Sequence, residues 1–201
     1  MNESQMVKIA LLASGTGSNA AKIIQHFSNH SIIKVDCLLT NRKDAGVNQV
    51  ASTNKLDGFY FSDLEFKQGN APLKLLKRRK IDWLILAGFL KKIPKQIIAA
   101  YEKKIINIHP SLLPKYGGKG MYGNRVHQAA IDAGDKLSGI SIHFVNQHFD
   151  QGEIIFQKSC EIKAEDTAES LAKRVQKLEH QYFPKVVENT ILKSIDKKEV
   201  I

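Results

Sequence analysis

The chain has 201 residues, of which 43% are hydrophobic and 25% charged, and it carries a net charge of +10. That is enough for one domain with a packed core, and the ordinary charged fraction excludes wholesale disorder. The basic residues are scattered, as at Lys74, Lys77, Arg78, Arg79, Lys80, Lys91, Lys92 and Lys95, with no aromatic residues between them for base stacking, so solvated helix faces account for the charge first, small anionic substrates second and nucleic acid least.

Val7–Ala13 is a short apolar run that predicts a buried strand. The glycine-rich turn Ser14-Gly15-Thr16-Gly17-Ser18-Asn19 follows, and Ala20–Phe27 predicts a helix with Ile23, Ile24 and Phe27 on one side. Val35–Thr40 reads as a second strand, Asn41–Asp44 as a polar loop, Val47 to Ala51 as helical and Phe59–Phe61 as a short strand. Pro72–Lys80 predicts a helix and Trp83–Ala87 a central strand. Pro94 opens another helix, and Ile105–His109 is a strand stopped by Pro110. A flexible loop at Gly117–Gly120 precedes a helix of about Gly123–Ala133, closed by Gly134. Ile140, Ile142 and Phe144 alternate with polar residues, which predicts a half-exposed strand, and Ile154–Ile162 is another strand. Thr167 to about Leu192 is a long helix, interrupted or bent at Pro184.

Alternating strands and helices predict an α/β fold, a Rossmann-like, mostly parallel twisted sheet with helices on both faces. A single domain over 1–201 is expected, with 1–6 and about 193–201 peripheral or flexible. Ligands of such sheets bind beyond the C-terminal ends of the strands. No apolar run approaches the ~20 residues that span a bilayer, and residues 1–5 carry no basic patch followed by an apolar stretch, so neither membrane nor signal peptide is expected. Cys37 and Cys160 lack CxxC partners. Two buried, reduced thiols in a cytoplasmic protein are expected, with no metal site.

Gly15-Thr16-Gly17 lies between a strand and a helix. Glycines let the backbone approach an oxygen-rich ligand, and the unpaired N–H groups of the helix start suit a phosphate. Ser18 and Asn19 add donors or cap the helix. Two other readings stay open. One is a purely structural turn. The other is a dinucleotide fingerprint, with Arg42 and Lys43 accepting the 2′-phosphate of NADP.

Asn107 and His109 fall on the same side of one strand end by alternation. An amide beside an imidazole suits a carbonyl oxygen becoming an oxyanion. Asp150, in a loop before Gly152, fits either a carboxylate that supports the histidine or an Asx turn.

Leu86-Ala87-Gly88-Phe89, Asn107-Ile108-His109-Pro110-Ser111-Leu112-Leu113-Pro114-Lys115-Tyr116, Ser141-Ile142-His143-Phe144-Val145 and Asp150-Gln151-Gly152 together resemble the formyltransferase family. The resemblance runs in order from about Val7 to Pro184. It implies transfer of a formyl group from 10-formyltetrahydrofolate, as co-substrate, to the amine of glycinamide ribonucleotide in purine synthesis. The amine attacks directly, without metal or covalent enzyme intermediate. By resemblance, Asn107 and a protonated His109 stabilise the tetrahedral oxyanion and Asp150 supports His109 and passes protons. The phosphate lies on Thr16, Gly17, Ser18 and Asn19. Gln176 and Glu179, a Gln-x-x-Glu pattern, reach the ribose or glycinamide end. Folate binds near Leu86, Leu90, Lys91, Lys92, Ile93, Asn107 and Val145. The implied partners are these two small molecules, with no nucleic acid and no membrane, for a monomer or homodimer.

Three features depart from the family pattern, the first being that no arginine stands at Phe66–Asn70, where Lys67 is the stand-in. Gly117–Asn124 replaces a shorter Pro-Gly turn, and His127 takes either the place of a family histidine or a surface position. Formyltetrahydrofolate deformylase, with water as acceptor, is the nearest alternative activity; an NADP-binding module is the alternative from another class.

Overall fold

A computed structural model describes residues 6–196. The elements are β1 (Val7–Leu12), α1 (Ser18–Phe27), β2 (Ile33–Thr40), α2 (Val47–Thr53), β3 (Asp57–Tyr60), α3 (Asp63–Gln68), α4 (Asn70–Arg78), β4 (Trp83–Leu86), α5 (Lys95–Ala100), β5 (Ile105–His109), α6 (Asn124–Asp132), β6 (Leu137–Phe144), β7 (Ile154–Glu161) and α7 (Ala168–Asp196). They fall into two compact units, one through Asn107 and one from Ile108, so the boundary lies within β5.

The first unit carries five parallel strands in the order β3-β2-β1-β4-β5. Leu11, Leu38, Leu39, Leu84 and Ile85 are fully buried there, as the continuous apolar runs of β1, β2 and β4 require of strands covered on both faces. α1 buries Ala20, Ile23, Ile24 and Phe27, the one-sided spacing of an amphipathic helix. α3 is an element that the sequence reading lacks. Its signal was legible: Ser62 accepts from the Glu65 N–H and Glu65 returns to the Ser62 N–H, a capping box. Gly69, at φ 75°, then ends α3 and precedes α4, which starts at Asn70, two residues upstream of the expected Pro72.

The second unit holds the antiparallel pair β6 and β7 with α6 and α7. β6 corrects the expectation of a half-exposed strand. Ser138 to His143 are all buried, because its polar side chains find partners inside the unit. β7 presents the exposed face instead. α7 runs unbroken through Pro184, which is buried; the ring removes only the N–H that would have bonded the carbonyl of His180. Residues 193–196, expected to be peripheral, are the last turn of α7. Residues 1–5 and 197–201 of the same expectation lie outside the described residues. Cys37 is buried and its thiol is pushed up to about 12 by that burial and by Asp36, while Cys160 is only partly buried; neither is in a disulfide. No helix among the described residues is long and apolar enough to cross a membrane.

Candidate active site

β5 buries Ile105, Ile106 and Ile108 and leaves Asn107 half-buried. Two residues further, His109 is 4% exposed. Its Nε2 lies 2.8 Å from the Tyr116 carbonyl oxygen. A carbonyl only accepts, so Nε2 carries the hydrogen in the neutral ring, and Nδ1 is left to face Asp150 Oδ2 at 3.7 Å.

Asp150 meets a second imidazole. His143 Nδ1 lies 2.8 Å from the Phe144 carbonyl oxygen, and its Nε2 faces Asp150 Oδ1 at 3.7 Å. By the same reasoning Nδ1 holds the His143 hydrogen. The carboxylate thus sits between two rings, each fixed by a backbone carbonyl on its far nitrogen. The Gly118 N–H donates to Asp150 Oδ2 at 2.8 Å. The side chain turns to these partners rather than back to Gly152, which removes the Asx-turn alternative.

Local backbone aims the carboxylate. Asp150 itself has φ 54°, a left-handed conformation that aspartate tolerates better than most residues. A Cβ at Gly152 would fall on the Phe144 carbonyl oxygen, and one at Gly117 would lie 2.7 Å from Leu113 Cδ2 and 3.2 Å from Asp150 Cβ. Only glycines let both segments close on Asp150. The turn after β5 is held from below by Ser141, which is fully buried. Its Oγ donates to the Ser111 carbonyl at 2.6 Å and accepts from the Leu113 N–H at 2.9 Å and from Gln157 Nε2 at 2.8 Å.

The electrostatics favour a neutral histidine in the resting site. Burial holds His109 below its ordinary 6.5, against the opposing pull of Asp150 and the Tyr116 carbonyl. Burial pushes Asp150 up, but His143, His109 and the Gly118 N–H together outweigh it and leave the carboxyl below its ordinary value. Burial thus works against the protonated His109 that the family resemblance implies, and Asp150 works for it. His127, left open between a site and a surface position, is 4% exposed on α6. Its Nδ1 has no hydrogen-bond partner among the described residues, and burial and His109 both hold its pKa below the ordinary value.

The glycine turn lies in the first unit. Gly17 precedes α1 with φ 83°, and a Cβ there would meet Val47 Cγ2 at 2.7 Å and Val47 Cα at 2.9 Å. The Val47 N–H donates to the Gly15 carbonyl at 3.1 Å, which ties the turn to α2. No side chain caps α1 at Gly17. Thr16 is exposed, Ser18 half-buried and Asn19 buried. A polar chain runs from the turn's first residue: Ser14 Oγ donates to Asn41 Oδ1 at 2.6 Å and accepts the Leu90 N–H at 3.1 Å. Asn41 Nδ2 donates to Asp63 Oδ1 at 2.8 Å, and Lys91 pairs with Asp63. The turn and the Leu90–Lys91 segment, both expected at a site, are thus joined within this unit.

The other expected residues take varied positions. Leu86 and Ile93 are buried, Leu90 and Lys92 exposed, and Val145 half-buried after β6. Gln176 is exposed and Glu179 half-buried on α7. His143, Ser141, Tyr116 and Gly118 had no assigned role in the sequence reading. For the first two the alternation of β6 pointed to the solvent face, so their burial was not legible in the sequence.

A carboxylate between two oriented imidazoles, at the end of a strand that also bears an asparagine, is a geometry that can hold and move protons. The family model described as formyl transferase matches residues 7–187, and the chain belongs to that family. It is 41% identical to phosphoribosylglycinamide formyltransferase, chloroplastic, of Arabidopsis thaliana, over 92% of this chain and 66% of that protein. It thus spans just under two thirds of that relative's length. It is 34% identical to phosphoribosylglycinamide formyltransferase of Bacillus subtilis, over 92% of this chain and 95% of that protein. The crystal structure of phosphoribosylglycinamide formyltransferase from Bacillus halodurans superposes with a TM-score of 0.85 at 31% identity, over 93% of this chain and 96% of that one. The fold class is therefore that of an α/β formyl transferase with a mostly parallel sheet. The match includes the glycine turn, so the dinucleotide reading loses its ground.

Proposed function

We propose that the chain transfers a formyl group from 10-formyltetrahydrofolate to the amine of glycinamide ribonucleotide. The observation that carries this is the Asp150 carboxylate held 3.7 Å from Nδ1 of His109 at the end of β5, in a chain whose full-length bacterial relative bears that name. The amine nitrogen attacks the formyl carbon, the carbonyl electrons move to oxygen, and a tetrahedral oxyanion forms. Asn107 and His109 donate to that oxygen. The amine gives up a proton and the folate nitrogen gains one as the C–N bond to folate breaks.

The resting geometry suggests an order of events. His109 starts neutral, with its Nε2–H on the Tyr116 carbonyl. As charge builds on the formyl oxygen, the Nε2–H turns from the Tyr116 carbonyl to that oxygen, and protonation of Nδ1, which faces Asp150, becomes the favoured form. His109 thus holds, beside Asp150, the proton that the amine loses, and the same proton passes by way of Asp150 to the folate nitrogen as the C–N bond to folate breaks, which returns the ring to neutral. In the first unit, the α1 amides at Thr16, Gly17, Ser18 and Asn19 take the phosphate. In the second, Gln176 and Glu179 serve the ribose or glycinamide end. Leu86, Leu90, Lys92 and Ile93 with Asn107, and separately Val145, serve the folate. Lys91 meets the folate's carboxylates only in exchange for Asp63. The two reduced cysteines suit a cytoplasmic compartment.

The test is a formyl-transfer assay with glycinamide ribonucleotide against a blank without amine. Product formation only with the amine supports the reading. Folate turnover at the same rate without it points to a deformylase instead.

A further inference from the structure

Outside the residues given a role above, the second unit has a cavity of about 320 Å³, at the small end of the range for ligand sites. Its wall is mostly apolar and includes Leu112, Tyr116 and Leu137. Leu137, at the first position of β6, is 50% exposed, unusual for a leucine in a strand. The rim is charged, with Lys115, Asp135 and Lys136. These charges are not equivalent. Lys115 Nζ donates to both Asp135 oxygens, at 2.9 and 3.0 Å, and the Tyr116 hydroxyl donates to Oδ2 at 2.9 Å. Asp135 is thereby neutralised within the rim and its carboxyl held below the ordinary value by Lys115 and Tyr116. Lys136 is exposed and its side chain makes no such pair among the described residues, so the rim they form keeps one positive charge over an apolar wall.

We propose that this cavity binds a small organic monoanion with a compact apolar body, and that its occupancy is felt at His109 through Tyr116. The carboxylate or equivalent group lies at Lys136 and the body lies against Leu112, Leu137 and Tyr116. The link to His109 is short. The same residue that lines the cavity, and holds Asp135 with its hydroxyl, offers its backbone carbonyl to His109 Nε2 at 2.8 Å. Its neighbour Lys115 is held in turn by Ser111, whose Oγ donates to the Lys115 carbonyl at 2.6 Å. An anion held at Lys136 lies next to Asp135 in the same rim, disturbs its bond with the Tyr116 hydroxyl and so shifts the turn that carries the Tyr116 carbonyl.

The experiment uses cyclohexanecarboxylate as probe, its uncharged carboxamide as control, and the full chain in solution. Amide and imidazole resonances are followed by NMR during titration. The expected result is saturable shifts at Lys136, Leu137 and Ser138 with a Kd on the order of 1 mM, usual for so small a ligand, and a concurrent shift of the His109 ring signals. The carboxamide and the variants Lys136→Glu and Leu137→Asp each weaken binding at least tenfold. Both sites are exposed, and circular dichroism checks that the variants stay folded. Equal binding of the carboxamide, unchanged affinity in both variants, or no shift at these amides overturns the site. Binding with a silent His109 ring overturns the link through Tyr116. Neither result depends on which formyl acceptor the chain uses.

Discussion

The Asp150 carboxylate lies 3.7 Å from Nδ1 of His109, while Nε2 of that ring is held at 2.8 Å by the Tyr116 carbonyl. The histidine is therefore oriented at both nitrogens before any substrate arrives. Its proton inventory is set by a contest in which burial disfavours the charged ring and Asp150 favours it.

Asp150→Asn keeps the shape and removes the charge. Turnover is expected to fall by roughly 10²–10⁴, the usual range for a lost proton-transfer group, with circular dichroism unchanged. His109→Ala is expected to cost about as much. Steady-state formyl transfer measures both, and near-wild-type turnover in either variant removes that residue from the mechanism.

The acid limb of kcat/KM should report the free-enzyme His109 below the ordinary 6.5. Activity that needs the neutral resting ring is retained at pH 6.5 and lost only as the pH falls through the lowered value. Asp150→Asn removes the group that opposes burial, so the residual activity's limb moves further toward acid. A limb above 6.5 contradicts the neutral resting state.

Stability follows the same signs. His109 and His127 bind fewer protons folded than unfolded at pH values just below 6.5, so stability is full above 6.5 and declines as the pH drops through their lowered values. Asp150 is also held below its ordinary 3.8, so its contribution is present above 3.8 and is lost as the pH falls through the lower folded value. Urea unfolding across this range should show two declines, and Asp150→Asn should abolish its share of the lower one.

Ser141→Ala leaves the Leu113 N–H without its acceptor in a fully buried setting. A loss of roughly 1–3 kcal/mol is expected, together with slower turnover, because the turn that bears the Tyr116 carbonyl loosens. Denaturant midpoints and kcat read the two effects separately.

Gly17→Ala places a Cβ 2.7 Å from Val47 Cγ2 at a φ of 83°. The left-handed conformation costs about 1–2 kcal/mol and the overpacking about as much again. KM for the phosphorylated amine should rise with the displaced turn. An unchanged KM in a destabilised variant means that the turn is structural only.

What the sequence by itself determined was whatever is written in neighbouring residues. Strand–helix alternation settled the α/β class. Continuous apolar runs placed β1, β4 and β5, and the strand-end spacing put Asn107 and His109 on one side of the chain. The glycine turn was legible because a φ of 83° at Gly17 leaves few other residues. Tertiary structure decided what local pattern does not encode. β6 alternates in sequence yet is buried, since Ser141 and His143 find partners in Ser111, Leu113, Gln157, Phe144 and Asp150. Asp150 read as equally a turn former and a catalyst until the Gly118 N–H, 32 positions away, was seen to claim its oxygen. Burial, which opposes the charge that the resemblance places on His109, is a property of the assembled unit; no segment of the chain carries it alone.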